Sequence, residues 1–140
     1  MEIIRGPLAN HEHDVTAIPL SVDRLTLAKR RWRGVAEDGR EFGFDLAEPL
    51  RDGVAFFQID GATYQIAQRA EPVFEIALAT PGEGARIGWL IGNLHFSLDL
   101  DGNVIYAPND SAVRQMLERE QIHFSEVSRV FHPARHGHVH

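Results

Sequence analysis

The sequence contains no cysteine among its 140 residues, and this absence narrows the chemistry open to it. Without thiols the chain cannot form a disulfide, a cysteine zinc site, an iron–sulfur cluster or a thiol nucleophile. Eight histidines are present, and imidazole is a good ligand for first-row divalent ions. Any metal site in this protein must therefore be built from imidazole, carboxylate or water.

Long apolar runs and an excess of basic residues are also missing. No stretch approaches the roughly 20 apolar residues of a membrane-spanning helix, and the first ten residues lack the apolar core of a signal peptide. The 20 acidic residues outnumber the 14 basic ones, which gives a net charge of -6 with neutral histidines. We therefore expect a cytoplasmic protein with no membrane and no nucleic-acid partner. The basic run Arg30-Arg31-Trp32-Arg33 is interpreted as a solvated strand face or a partner contact.

Residues 1–71 show the alternation of antiparallel strands that bury one face. Two hairpins are predicted, with turns at Asp38-Gly39 and Asp60-Gly61. The apolar residues that would share one face after the first turn are Phe42, Phe44 and Leu46. Ile3-Ile4 and the pair Leu25/Leu27 indicate further strands. This half is predicted to be a small all-β domain of barrel or sandwich type.

Helical signals appear after residue 71. Thr80, Pro81 and Glu83 supply the N-cap, the first-turn proline and the capping-box glutamate of a helix that ends near Leu94. This helix is apolar on most sides, as expected for one buried against a sheet or against a second copy of itself. With the strands and second helix around it, the order is β-α-β-β-α-β. Residues 72–131 are therefore predicted to form a ferredoxin-like domain, and the fold class to be α+β.

Four of the eight histidines lie in the last nine positions, 132–140. They are His132, His136, His138 and His140. The last three are separated by single residues, so several imidazoles could reach one ion from an extended segment. We expect a mobile, metal-binding tail here; the alternatives are a disordered tail without function and the remnant of a purification tag.

His95 lies at the end of the first predicted helix, in the run Gly88-Trp89-Leu90-Ile91-Gly92-Asn93-Leu94-His95. Taken alone, it is interpreted as a helix C-terminal residue whose cation interacts with the helix dipole. The other histidines, His11, His13 and His123, are assigned to a solvated loop and a helix end. No catalytic residue is predicted, because the sequence has no nucleophile elbow and no HExxH pattern. We expect a protein that is not an enzyme.

The run that ends at His95 is followed by a hairpin, a capped helix with Met116-Leu117, a strand ending in Phe131 and a terminal histidine cluster. This succession resembles the C-terminal half of the urease accessory protein UreE family, whose members are nickel metallochaperones. The segment from Arg31 to Asp52 is similar to the N-terminal domain of the same family. The resemblance covers nearly the whole chain.

The resemblance implies a homodimer through the second domain, in which His95 faces its counterpart across a twofold axis. The tail histidines His132, His136, His138 and His140 could then complete the shell of one Ni(II), held as cargo for urease. Zn(II) and Cu(II) are alternative ions for the same ligands. The implied partners are the urease apoprotein and other urease accessory proteins, docked by the first domain. The open alternative is a metal-independent protein-interaction module with an incidental histidine tail.

Overall fold

The computed structural model describes residues 1–9 and 16–133 and divides the chain into two compact units, Met1–Arg69 and Ala70–His140. The described residues form strands and helices in both sequence halves, so the predicted α+β class is confirmed. The elements of the first unit are β1 (Glu2–Ile4), β2 (Thr16–Val22), α1 (Arg24–Leu27), β3 (Arg31–Val35), β4 (Glu41–Asp45), β5 (Ala55–Ile59) and β6 (Ala62–Gln68). The elements of the second unit are β7 (Glu71–Ala77), α2 (Pro81–Asn93), β8 (Asp99–Asp101), β9 (Val104–Pro108), α3 (Ser111–Arg119) and β10 (Ser125–Arg129). None of the helices in this described part of the chain is long and apolar enough to cross a membrane.

The described part of the first unit contains two three-stranded sheets, with strand orders β1-β4-β3 and β2-β6-β5. The two predicted hairpins are found as the antiparallel pairs β3/β4 and β5/β6. Asp60 and Gly61 have φ values of 46° and 77°, as expected for the type I′ turn that Asp-Gly favours. The predicted antiparallel pairing is wrong for β1, which runs parallel to β4, and β2, where no strand was predicted, runs parallel to β6. Each of these strands reaches its partner through intervening elements, and a parallel pair requires such a crossover.

Leu25 and Leu27 lie in the single-turn helix α1 and not in a strand as predicted. Asp23 precedes this helix with an extended backbone, and its Oδ2 accepts a hydrogen bond from the backbone N–H of Thr26 at 3.0 Å. Two leucines at alternate positions are too few to distinguish a strand from a helical turn. The N-cap aspartate was the more informative signal.

Aromatic side chains from both sheets form much of the core of the first unit. The Phe42 ring lies edge-on to the rings of Phe56 and Tyr64, with centroids 5.0 and 5.1 Å apart. Phe44 stacks on Trp32 of the neighbouring strand at 3.9 Å. All three residues predicted to share a face after the first turn are buried. Because aromatic side chains bury large areas and prefer such edge-on contacts, this cluster is a major source of the unit's stability.

A buried tyrosine connects the β3–β4 turn to this core. The Tyr64 hydroxyl donates a hydrogen bond to Oδ2 of Asp38, and Oδ1 of the same carboxylate accepts from the backbone N–H of Arg40 at 3.0 Å. The hydrogen bond from Tyr64, followed by that from Arg40, lowers the pKa of Asp38 below its ordinary value. The same bond to Asp38, with burial, raises the pKa of Tyr64. The bond is therefore formed by a neutral phenol and a charged carboxylate.

The second unit has the predicted element order β-α-β-β-α-β, and its sheet has the strand order β10-β7-β9-β8 with every pair antiparallel. Both helices pack on one face of this sheet. The buried residues of that layer are Phe74, Ile76, Ile87, Ile91, Ile105, Ala107, Val113, Met116 and Leu117. The opposite face carries a second cluster, Val73, Tyr106 and Phe131. Successive strand residues such as Val73 and Phe74 therefore point to opposite faces.

Helix α2 begins where its start signals predict. Thr80 Oγ1 accepts a hydrogen bond from the backbone N–H of Glu83 at 3.2 Å. The Glu83 side chain in turn accepts one from the backbone N–H of Ala79 at 2.7 Å. Pro81 occupies the first turn, where its missing N–H costs nothing. These contacts determine where α2 starts on the sheet, and hence where it ends.

Replacing Tyr64 by phenylalanine should weaken the acid sensitivity that Asp38 gives the fold. A carboxyl whose pKa is lowered on folding stabilises the protein above its unfolded pKa of about 3.9, and this contribution is lost as the pH falls through the folded pKa. Urea denaturation from about pH 6 to pH 2 should show a smaller loss of unfolding free energy in Tyr64→Phe than in wild type. Asp38→Asn is the matched control, because it removes the titrating group and keeps the phenol. Equal losses in wild type and Tyr64→Phe would contradict this account.

Candidate metal centre

His95 lies just beyond the end of α2 and has a left-handed backbone conformation, with φ of 65°. Its backbone N–H donates to the carbonyl of Gly92 at 2.9 Å, and the N–H of Phe96 donates to the carbonyl of Ile91 at 3.3 Å. These two bonds are the Schellman termination of a helix, whose left-handed position is most often glycine. A side chain in this conformation is crowded against its own backbone. The chain therefore places a histidine where glycine would be favoured.

The imidazole of His95 is positioned to contact a metal ion or another molecule. The residue is exposed, and its side chain makes no hydrogen bond or ion pair with any residue that the structure describes. Backbone N–H groups, and not the imidazole, satisfy the last carbonyls of α2. Backbone strain at an exposed side chain without partners is a reason to suspect a functional role. His95 is accordingly the best candidate ligand in the described part of the chain.

Helix α3 ends in the same way and provides an internal comparison. Gln121 has φ of 56°, its N–H donates to the carbonyl of Glu118 at 3.1 Å, and the N–H of Ile122 donates to that of Leu117 at 2.9 Å. The backbone geometry at Gln121 therefore matches that at His95, without a strong metal ligand. The exposed His123 lies two residues further on.

The helix face one turn before His95 is open and partly apolar. Trp89 is 67% exposed, and Gly92 lies three residues later on the same side of α2. Apart from its chain neighbours and the backbone of its own helix, no described atom would lie within 4 Å of a β-carbon built at Gly92. Glycine inside a helix costs about 1 kcal/mol relative to alanine, and the described residues give no steric reason for it. Close approach of a second molecule would explain a glycine at this position.

The predicted ligands are not assembled within the described residues. Among positions 1–9 and 16–133, no group of three histidine, aspartate or glutamate side chains could hold a metal ion. His132 is exposed and follows Phe131, which packs on the sheet face opposite to α2. The other predicted tail ligands, His136, His138 and His140, and the predicted mobility of the tail lie outside the described residues, as do His11 and His13. The described end of α2 therefore offers one imidazole, and a metal site built on it would need further ligands from elsewhere.

Sequence reasoning did not identify which face of α2 is exposed. The composition of the helix suggests burial on most sides, but only Ile87 and Ile91 are fully buried against the sheet. Trp89 and Gly92 are left outside by the helical phase that these two isoleucines impose. The three-residue spacing of Trp89 and Gly92 could have indicated a shared helix face. It can be interpreted as the exposed face only when the buried face is known.

Residues 71–140 match the family model described as the C-terminal domain of the UreE urease accessory protein. Urease accessory protein UreE 1 of Brucella suis is 30% identical over 126 residues, which cover 86% of this chain and 78% of that relative. Urease accessory protein UreE of Brucella abortus is also 30% identical over 126 residues, covering 86% and 74%. The protein of the same name from Synechococcus sp. is 28% identical over 103 residues, covering 74% and 69%.

Replacing His95 by glycine should stabilise the isolated fold. Removing the side chain relieves the left-handed strain, so we expect the free energy of unfolding to rise by about 1 kcal/mol, while His95→Ala should bring no such gain. The measurement is urea denaturation with a metal chelator present, at one protein concentration. Gln121→Gly is the matched control and should give a similar gain. A loss of stability in His95→Gly would show that the imidazole serves the fold.

Proposed function

This chain belongs to the UreE family of urease accessory proteins, and from that membership we propose that it binds Ni(II) and delivers it to urease during assembly of the urease active site. The predicted family is confirmed by the comparisons, and the family supports a role in urease maturation. UreE proteins are accessory chaperones, so the prediction that the chain is not an enzyme is also confirmed.

The single observation that carries the nickel proposal is the conformation of His95. Its imidazole is exposed, has no partner among the described residues, and is attached to a backbone that favours glycine. Neutral imidazole is a good ligand for nickel, zinc and copper. Gln121 ends α3 with the same backbone geometry and no strong metal ligand, so what distinguishes His95 is its exposed imidazole, which has no partner among the described residues. The geometry therefore supports His95 as the first ligand.

A homodimer with a twofold axis would supply the further ligands that one chain lacks. If two copies associate near the end of α2, their His95 side chains converge on one ion, and the tail histidines His132, His136, His138 and His140 can complete its shell. Such a site has few rigid ligands. A closed, four-ligand structural site holds its ion too firmly to pass it on, so an incomplete site is suited to transient cargo. Copper binds most imidazole sites more tightly than nickel, and selectivity must then come from supply or from the partner.

The open face of α2 supports a homodimer. An exposed tryptophan beside a glycine with free space around it suits a contact in which the partner's backbone comes close, and exposed aromatic residues are enriched in interfaces. We propose that residues 72–131 are a ferredoxin-like domain that dimerises through this face and binds the metal. Residues 132–140 would be a mobile extension of that site. Trp89 and Gly92 would lie in the interface.

The first unit, residues 1–71 in this proposal, would be a barrel or sandwich that docks the urease apoprotein and other urease accessory proteins. We place the protein in the cytoplasm, with no membrane and no nucleic-acid partner. The competing proposal is that the chain is a protein-interaction module that does not bind metal. Nickel binding by the purified protein distinguishes the two.

Calorimetric titration should show about one tightly bound Ni(II) per dimer, with weaker sites at higher nickel concentration. We expect His95→Gly to weaken the first site by more than about 100-fold, because it removes both central ligands of the dimer. Gln121→Gly introduces glycine at the same backbone geometry without removing a histidine, and should bind nickel as wild type does. A chain cut after Phe131 should keep the first step in weakened form and lose the weaker sites.

Other outcomes of this titration reject parts of the proposal. If His95→Gly retains the first site at full affinity, His95 is not the ligand. If only truncation abolishes binding, the tail alone is the metal site. If wild type binds no nickel, the chain is an interaction module in which the histidines are incidental.

Replacing Gly92 by alanine should weaken the dimer while strengthening the helix. The added methyl group favours the helix by up to about 1 kcal/mol, but it would lie between the two copies. We expect the dimer dissociation constant, measured by sedimentation equilibrium, to rise at least about tenfold. Gly82→Ala, in the exposed first turn of the same helix, is the control and should leave the constant unchanged. An unchanged dimer dissociation constant in Gly92→Ala would show that the interface does not include this face.

A further inference from the structure

The β1-β4-β3 sheet has a solvent-facing side that the metal site does not use. Side chains alternate along these strands, with Ile4, Trp32, Phe42 and Phe44 buried on the inner side. We use the name outer face for the residues on the other side. They are Met1, Ile3, Arg5, Arg31, Arg33, Val35, Glu41, Gly43 and Asp45.

Aliphatic side chains cover the part of the outer face away from Asp45, where Val35 lies in register with the exposed Glu41. Met1, Ile3 and Val35 are 63%, 49% and 56% exposed. A β-carbon built at Gly43 would lie 3.0 Å from Cδ1 of Ile3 and 3.2 Å from Cε of Met1, so these two side chains lie over the central strand. The glycine lets them lie flat on the backbone. The result is a shallow aliphatic surface, which costs solvation energy unless a partner covers it.

One end of the outer face carries an excess of positive charge. Asp45 accepts hydrogen bonds from Arg31 at 3.1 Å and from Arg5 at 3.0 Å, and these two guanidinium groups lower its pKa. Arg33, in register with Gly43, has no ion pair with any described residue. Lys29 and Arg30 are exposed just before β3. This basic end stands out on a chain with a net charge of -6.

The position of Trp32 decides between two kinds of partner. Basic surfaces that bind single-stranded nucleic acid present aromatic rings on which bases stack. Here the aromatic residue of the basic run is only 9% exposed and stacks on Phe44 in the core. The side chains that do face outward beside the arginines are aliphatic. A protein segment with apolar side chains and carboxylates is therefore complementary to this surface in both respects.

We propose that the outer face docks an acidic, apolar segment of a partner protein, with a carboxylate at Arg33 and an apolar side chain on Ile3 and Met1. This inference rests on the proposed role of the first unit in partner docking, and it specifies the surface and the chemistry of the partner. Arg5 and Arg31 are already engaged with Asp45. Arg33 is the arginine of this face that has no ion pair among the residues that the structure describes.

The test uses the full chain and two fluorescein-labelled peptides of equal length and charge. One alternates glutamate with leucine, and the other alternates glutamate with glycine. Fluorescence anisotropy should show at least about tenfold tighter binding of the leucine peptide, with affinity falling as salt rises. Arg33→Glu and Ile3→Ser should each weaken that binding at least about tenfold. Arg51→Glu and Leu25→Ser, at exposed positions of the same unit, are the matched controls and should have little effect.

Thermal unfolding and nickel titration of each variant complete the experiment. The outer-face variants should keep the nickel stoichiometry of wild type, so loss of docking with intact nickel binding supports this surface independently of the metal site. Equal binding of the two peptides, or equal effects of test and control variants, rejects the proposal. Tighter binding of a single-stranded oligonucleotide of matched charge than of the leucine peptide also rejects it. Docking that persists in a chain that binds no nickel would overturn the proposed function and leave this inference standing.

Discussion

The packing of Ile87 and Ile91 against the second sheet is the constraint on which the candidate metal site depends. These two residues, four positions apart, are the only fully buried members of α2 among the described residues. They set the rotation of the helix about its axis, so Trp89 and Gly92 must face away from the sheet. The capping contacts of Thr80 and Glu83 set where the helix begins, and the Schellman bonds set where it stops. The exposed imidazole at the end of α2 follows from all three.

The incompleteness of the site is consistent with delivery of a metal ion. A catalytic metal site needs a fixed ligand set and an open coordination position held in one geometry. The described part of this chain gathers no such set, and its candidate ligand sits on strained backbone at a helix end. The proposed site, completed by a second copy and by the tail, could be taken apart again. Assembly and release would then depend on association and not on the breaking of a rigid cage.

The two units present surfaces of different chemistry. In the second unit the open side of α2 is apolar beside a potential ligand, which suits a like copy. In the first unit the outer face combines aliphatic side chains with Arg33, which has no ion pair among the described residues, and this suits a different, acidic partner. The hydrogen bond between Tyr64 and Asp38 joins the β3–β4 turn to the core of the first unit. That bond helps to hold the strands on which the outer face is displayed.

Much of the fold could be predicted from local signals, because capping residues, Asp-Gly turns and alternation act over a few residues. They located both hairpins of the first half, the start of α2 and the β-α-β-β-α-β order of the second. They failed at Leu25 and Leu27, where two residues could not establish a period, and for β1 and β2, whose parallel pairing depends on strands distant in sequence.

The sequence by itself determined the kinds of ligand available, since eight histidines and no cysteine leave imidazole as the main choice, and the order of its motifs pointed to the UreE family. Only the tertiary structure decided which side of α2 is open, that His95 occupies a glycine-like position, and that Trp32 is buried while Arg33 faces outward. Composition and motif order are properties of the linear sequence. Exposure and backbone strain arise only when distant segments pack, because that packing determines which faces are covered and which conformations are enforced.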